Sequence, residues 1–486
     1  MPLENSRHTT APRPSASQPS GQTGNGGNAT APEAWSQSQY QARLESLEST
    51  LAEVVAGLGS WRSNEMPTPE VDHSPAMPRR ASMMSRRENA EDAFALPWDE
   101  APDIAQLYLR YCDCQPLPLF QQSDFASTFA NRDIGVVYGV FALASRFSDR
   151  HASRVGPSPQ DARMYTFAAQ RQAMTQVSSG RIELATLQTL CLVSLAQFQA
   201  GDLTQARIHG SLVTTLAQSA CLGREHAGHR DSRLTEERRR CYWSIVLLQR
   251  ITGEGSMVNH LAQPHLQPLM PTSATTPATT VNSNENGPMS TGHGNDMDDQ
   301  DGIIHVVIKL SEVWSLAQTC IQDRGISESG LPPWSTDSSY SKALEAIMSL
   351  GAQLPSAHRY RSMRLSSMKS RELNDARDYW GPWLLSRFLY HTSICILNHP
   401  IIVMLQLQGF QNVPELFLQQ TTFQRDHHTS WLLHFIDFLI SRRYFISDPI
   451  IPYCAAVLAT IELHQSFYQR DKHRKDGMTQ QQKHYS

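Results

Sequence analysis

The chain has 486 residues, of which 40% are hydrophobic and only 18% charged, and its formal net charge is −4. At about 150 residues per domain this length predicts two or three domains, and the low charge content points to a globular part diluted by polar, uncharged stretches. A sequence pI near 6.5 lacks the bulk basic footprint of a nucleic-acid binder, and eight scattered cysteines are too sparse for a secreted disulfide scaffold.

The opening residues hold no apolar run of signal-peptide length, so a reducing, intracellular compartment is expected. The longest apolar window, Ile394 to Leu407, is interrupted by Asn398, His399 and Pro400. It is too short to span a bilayer, and no membrane partner is expected.

In chain order, residues 1–36 are rich in Ser, Thr, Pro, Gly, Gln and Asn, a composition that reads as a disordered arm. Residues 37–62 carry a regular stripe. Leu44, Leu51 and Leu58 fall at one heptad position and Leu47 and Val54 at the other, with Arg43 and Glu48 flanking them. This is a short coiled-coil seam suited to a parallel two-stranded partner. A helix of this length is marginal alone in water, so it needs burial, either in a dimer or by docking on its own globular domain. Residues 63–93 are again linker-like. They contain Arg79 and Arg80 two positions before Ser82, which makes Ser82 a candidate phosphosite for a basophilic kinase, and the surrounding arginines a candidate import patch. A merely solvated charge cluster is the alternative.

Residues 94–469 become apolar with helical period, and a multi-helix, all-α domain is predicted. The segments 182–199 and 203–222 form a helical hairpin around Gly201-Asp202, with Ala206, Gly210 and Ala217 permitting close contact and Gly223 suited to the C-terminal cap. Thr235 reads as the cap of the next helix, with Glu236 and Glu237 at its positive end. No Lys or Arg lies between Arg250 and Lys309, so residues 252–302 read as a disordered insertion, tolerable because loop-closure entropy grows slowly with length. Further helical signals cover 313–321, 340–350, 383–397, 431–446 and 451–468. Residues 470–486 form a polar tail expected to fray.

The sequence contains no GxxxxGK[ST], GxGxxG, GxSxG or HExxH pattern. The acidic run 296–302 fails the calcium-loop register, because its twelfth position falls on Ile308 rather than a glutamate. Cys112 and Cys114 lack zinc-knuckle spacing, and Cys221, His226 and His229 lack a fourth ligand. His427 and His428 read as surface or satisfied core histidines. No catalytic, cofactor-binding or metal-ligating residue is nominated, and no enzyme activity is expected.

The blocks 107–125, 137–149, 182–223, 236–253, 390–400 and 448–465 together resemble the regulatory domain of fungal binuclear-zinc-cluster transcription factors, the fungal-specific transcription factor domain or middle homology region. The match runs from about Phe94 to Phe467. Its most specific block is EERRRCYWSIVLLQRITG, residues 236–253. There Glu236, Arg239, Arg240, Trp243 and Arg250 fall on the family's motif, and Gln249 stands where the family usually has Asp. The resemblance implies a structural role for this block. Paired to Glu236 or a neighbouring helix, the arginines would orient the helix while Trp243 fills the core; contact of Arg238–Arg240 with DNA phosphates is the alternative.

The family usually carries six cysteines near its N-terminus that hold two zinc ions, whereas this chain has none before Cys112. No cofactor is expected, and zinc only if a six-cysteine module is encoded upstream; omission from the gene, a mispredicted start and evolutionary loss all remain open. The resemblance implies a nuclear transcription regulator lacking its DNA-binding module in this chain, controlling a metabolic or secondary-metabolite gene cluster. It would act as a homodimer, or a heterodimer with a related regulator, with the transcription machinery as partner and DNA reached only indirectly or through the missing module. An all-α enzyme with an internal pocket, or a structural scaffold, is the alternative.

Overall fold

In the computed structural model the chain divides into two units, Met1–Pro78 and Arg79–Ser486. The structure describes residues 96–148, 159–224, 232–252, 267–273, 302–322 and 330–484, all in the second unit. The seam at Leu44–Leu58, Ser82, the arm and the linker lie outside the described residues, as do His226 and His229.

Among the described residues there are fourteen α-helices and no strand, as the 3.6-residue periodicity requires. They are α1 (Ala101–Tyr111), α2 (Gln122–Thr128), α3 (Ile134–Ala144), α4 (Pro159–Ser178), α5 (Leu184–Gln199), α6 (Leu203–Ser219), α7 (Ser232–Thr252), α8 (Ile303–Gln322), α9 (Ser339–Gln353), α10 (Ser370–Asp375), α11 (Arg377–Leu397), α12 (Pro400–Leu407), α13 (Glu415–Ser441) and α14 (Ile450–His484). Helix α3 packs on α4 and α5, and α5 on α6. Helix α7 packs on α5, α6 and α8, while α8 and α11 form the main contact of the C-terminal half, flanked by α9, α13 and α14. Helix α7 therefore stands between the two halves, and one hydrophobic cluster runs through both.

Local chemistry accounts for the element ends. Asp133 caps α3 by accepting from the Gly135 N–H at 2.8 Å. The α5–α6 hairpin turns at Gly201, whose φ of +81° places it in the left-handed region that glycine adopts without strain; Asp202 then caps α6 by accepting from the Gln205 N–H. Helix α6 ends at Ser219, and the left-handed position after its cap is Cys221, with φ of 48°, rather than the expected Gly223. The Leu222 N–H bonds back to the Ala217 carbonyl, which closes the helix before Gly223 is reached. Helix α7 begins at Ser232, not at Thr235, so Glu236 and Glu237 lie beyond the first turn and serve contacts described below instead of a dipole. Helix α13 starts at Glu415, well ahead of the predicted 431, and the tail expected to fray is helical through His484.

Helix α11 is the centre of the C-terminal half. Trp380, Trp383, Leu384, Leu385 and Phe388 are all essentially buried. The stretch Arg377–Leu407 contains a window long and apolar enough to cross a membrane, but that window is mostly buried inside the protein, as a core helix is. The break foreseen at 398–400 is real: α11 ends at Leu397, and the His399 side chain caps α12 by accepting from the Ile401 N–H.

Two close approaches are specific enough to test. Gly139 of α3 faces α5 so closely that a Cβ there would stand 2.8 Å from Leu192 Cβ. Gly139→Ala is therefore expected to force the helices apart and to lower unfolding free energy by about 1–3 kcal/mol, the usual cost of overpacking a core, read by urea denaturation.

Between α11 and α13, His391 Nδ1 and His428 Nδ1 lie 2.8 Å apart. One Nδ1 must carry a hydrogen and donate while the other accepts, so protonating the accepting nitrogen would break the bond. Burial lowers His391 well below the usual histidine value, helped by His428, Arg387 and His427. Burial, with His427, brings His428 down to about 4. Because the folded values are depressed, the stability the pair contributes is present above about pH 6.5 and is lost as pH falls toward 4. His428→Gln keeps a hydrogen-bonding partner without the charge, and is expected to flatten the acid side of the stability-versus-pH curve; an unchanged slope would contradict this.

Candidate functional site

The residues singled out by the α7 block lie along one stripe of that helix, since 236, 240, 243 and 250 recur at spacings of three, four and seven. Glu236 and Arg240 are both buried. Glu236 Oε1 accepts from Arg240 Nε at 3.0 Å, from the Thr272 N–H at 2.9 Å and from the Thr272 hydroxyl at 2.8 Å. Arg240 donates through Nη1 to the Phe120 carbonyl at 3.1 Å and through Nη2 to the Thr272 carbonyl at 2.6 Å. One turn on, Trp243 Nε1 donates to the Leu269 carbonyl at 3.1 Å.

These side chains thus grip residues 267–273, which the sequence pattern assigns wholly to a disordered insertion. Pro268 and Pro271 are buried and Met270 packs on the core, and the segment's backbone supplies hydrogen-bond partners that buried Glu236, Arg240 and Trp243 require.

Arg240 also ties in the turn before α2, where Asp113, Cys114, Gln115, Leu117, Leu119 and Phe120 are buried. Burial pushes the Asp113 carboxyl up to about 6, against the opposing charge of Arg240 and a hydrogen bond from Gln122. For Arg240, burial alone would lower the pKa; Cys114, Asp113 and Glu236 outweigh it and hold it above the ordinary value. On the neighbouring face, Glu237 takes a two-pronged ion pair from Arg132 at 2.6 and 3.2 Å, and the same guanidinium lies over the rings of Phe120 and Phe125.

Arg239 approaches Glu236 Oε2 at 3.9 Å. Arg250 is not part of this grip. It joins α8, donating to the Ile308 carbonyl at 3.2 Å, to Ser311 Oγ and to Glu312 Oε2 at 3.4 Å; burial lowers its pKa. Gln249 is fully buried with neither amide atom partnered. It lies where Gly210 of α6 has no side chain, so that a Cβ there would come within 3.0 Å of Gln249 Nε2.

A second hub that sequence pattern did not reveal is Arg377, at the start of α11. It donates to the Phe445 carbonyl at 2.6 Å, to Ser447 Oγ at 3.2 Å and to Asn374 at 3.0 Å, and its guanidinium stacks over Tyr111 and Tyr444. Ser447 in turn donates to Gln115 Oε1 in the buried turn. Among the described residues no group of three or more His, Cys, Asp or Glu side chains is placed to hold a metal ion.

The arrangement is a clamp. It fixes the entry turn, the 267–273 segment and α8 on one helix. With its guanidinium enclosed and engaged on three sides, Arg240 is not available to a phosphate backbone. Glu236→Gln or Arg240→Met is expected to lower unfolding free energy by about 3–5 kcal/mol, the range for removing one partner of a buried pair. The Glu236→Leu/Arg240→Met double variant should lose less than the sum of the two single changes. Denaturant titration measures both, and proteolysis within 267–273 should accelerate in the single variants.

Comparison with known proteins bears on what this clamp belongs to. Over 331 residues the chain is 23% identical to an uncharacterized transcriptional regulatory protein of Schizosaccharomyces pombe, a match covering 63% of this chain and 34% of that protein. The matched region thus spans about a third of the relative's length. No solved structure matches the chain. A model of the fungal specific transcription factor domain matches residues 105–373, from within α1 to within α10, with the whole α7 clamp inside it; helices α11 to α14 extend beyond the match. The chain belongs to the fungal specific transcription factor domain family.

Proposed function

We propose that this chain is a fungal transcription regulator whose helical domain serves as a regulatory receiver in the nucleus and whose part is not catalytic. The observation that carries this reading is the family match over 105–373, a region in which Glu236, Arg240 and Trp243 bond separate segments together. A buried arginine engaged in this way reads no bases and neutralises no phosphates. DNA contact would therefore come through a partner or a further module, as would any zinc. The seam of Leu44, Leu47, Leu51, Val54 and Leu58 would supply a homodimer, or a heterodimer with a related regulator, and the transcription machinery would be the downstream partner. Ser82 would be the site of kinase input, and a metabolic or secondary-metabolite gene cluster the target.

The reading is tested by tethering the chain to a foreign DNA-binding module upstream of a reporter. A several-fold change in transcription is expected, weakened when Leu51 and Val54 are both replaced by Asp; the same pair of changes should halve the mass of the purified protein in solution. A silent reporter in fungal nuclei would overturn the proposal, and so would DNA binding by the purified chain alone.

A further inference from the structure

A cavity of about 220 Å3 lies where the ends of α5 and α6 meet α7, α8, α11 and α14. Its walls are apolar and aromatic, with Phe198, Ile251, Ile396 and Tyr453 among them. Arg207 is the single formally charged residue among those lining it. That guanidinium donates through Nε to the Thr252 carbonyl at 3.3 Å, and among the described residues no carboxylate pairs with it.

Trp314 also lines the cavity. Its ring is fully buried against Tyr453, and its indole N–H has no hydrogen-bond partner. One helical turn further along α8, Gln318 lines the same space with its Oε1 unpartnered. A buried polar group left unpaired costs about 1–3 kcal/mol, and here two of them border one small space beside an unpaired cation. Rotating the Gln318 amide by half a turn would present its NH2, so that all three groups could donate. An apolar pocket bordered by a few polar groups has the character of a small-molecule site, and the sign of its one charge, on the solvent-exposed Arg207, selects an anion.

We propose that this cavity binds a small apolar carboxylic acid, its carboxylate held by Arg207 with the adjoining Trp314 and Gln318 groups and its body against the apolar wall. Besides α7 and α8 themselves, the cavity is built by α5 and α6 from one half and α11 and α14 from the other, so an occupant would tie those halves together. The inference goes beyond the regulatory reading, because binding is read on the purified protein whether or not the chain alters a reporter.

The test titrates the full chain with hexanoate, 4-phenylbutyrate and indole-3-butyrate, each beside its uncharged primary amide, following tryptophan fluorescence and thermal shift. At least one acid is expected to bind saturably, and roughly tenfold or more tighter than its amide, as for a hydrogen bond to a charged group. Arg207→Gln should lose that advantage and Arg207→Lys should keep most of it. Leu203→Trp, at the half-exposed mouth, should block binding while leaving the melting temperature of the unliganded protein near the parent's. Failure of every acid in the panel to bind would overturn the proposal, as would equal binding of acid and amide or unchanged binding by Arg207→Gln or Leu203→Trp.

Discussion

A carboxylate and a guanidinium cannot share a protein interior cheaply: each loses hydration, and their mutual attraction offsets that loss only when the remaining donors and acceptors are also satisfied. The Glu236–Arg240 pair meets this condition by recruiting backbone from elsewhere. Thr272 gives an N–H and a hydroxyl to the carboxylate and a carbonyl to the guanidinium, and Phe120 gives another carbonyl. The requirement to satisfy one ion pair thus determines where two distant segments must lie. The neutral alternative, an apolar contact at the same place, would exclude water equally well but would accept any segment of suitable bulk.

From this pair the constraint spreads. Phe120 ends the buried turn that begins at Cys112, and Gln115 in that turn accepts from Ser447, which Arg377 also holds. The entry to the N-terminal helices and the start of α14 are in this way referred to the same few polar groups. Trp383 and its aromatic neighbours fill the volume around α11, but filling alone does not fix register. The directional bonds of Arg240 and Arg377 do.

The sequence showed some of this plainly and hid the rest for physical reasons. Helical period gave the all-α class, and the α5–α6 hairpin was readable from Gly201-Asp202 because a left-handed turn selects glycine. Gly223 misled, since Cys221 takes the left-handed conformation two residues earlier, and backbone bonding rather than residue preference settles where α6 stops. The α7 stripe was legible as a motif, yet its partners were not: Thr272 sits in a stretch whose composition is that of a linker, and a hydrogen bond to a carbonyl leaves no mark in residue type. Arg377, Arg132 and the His391–His428 pair were invisible for a related reason. Each joins elements far apart in the chain, and no periodicity records such a contact. The Arg207 cavity escaped likewise, being formed by the ends of six helices.

The grip on residues 267–273 also changes how the connection between α7 and α8 is tethered. Held at 267–273 by the bonds to Glu236, Arg240 and Trp243, the connection is tied back to α7 between its two ends. Thr272 and the Leu269 carbonyl thus behave as a mooring between two helices.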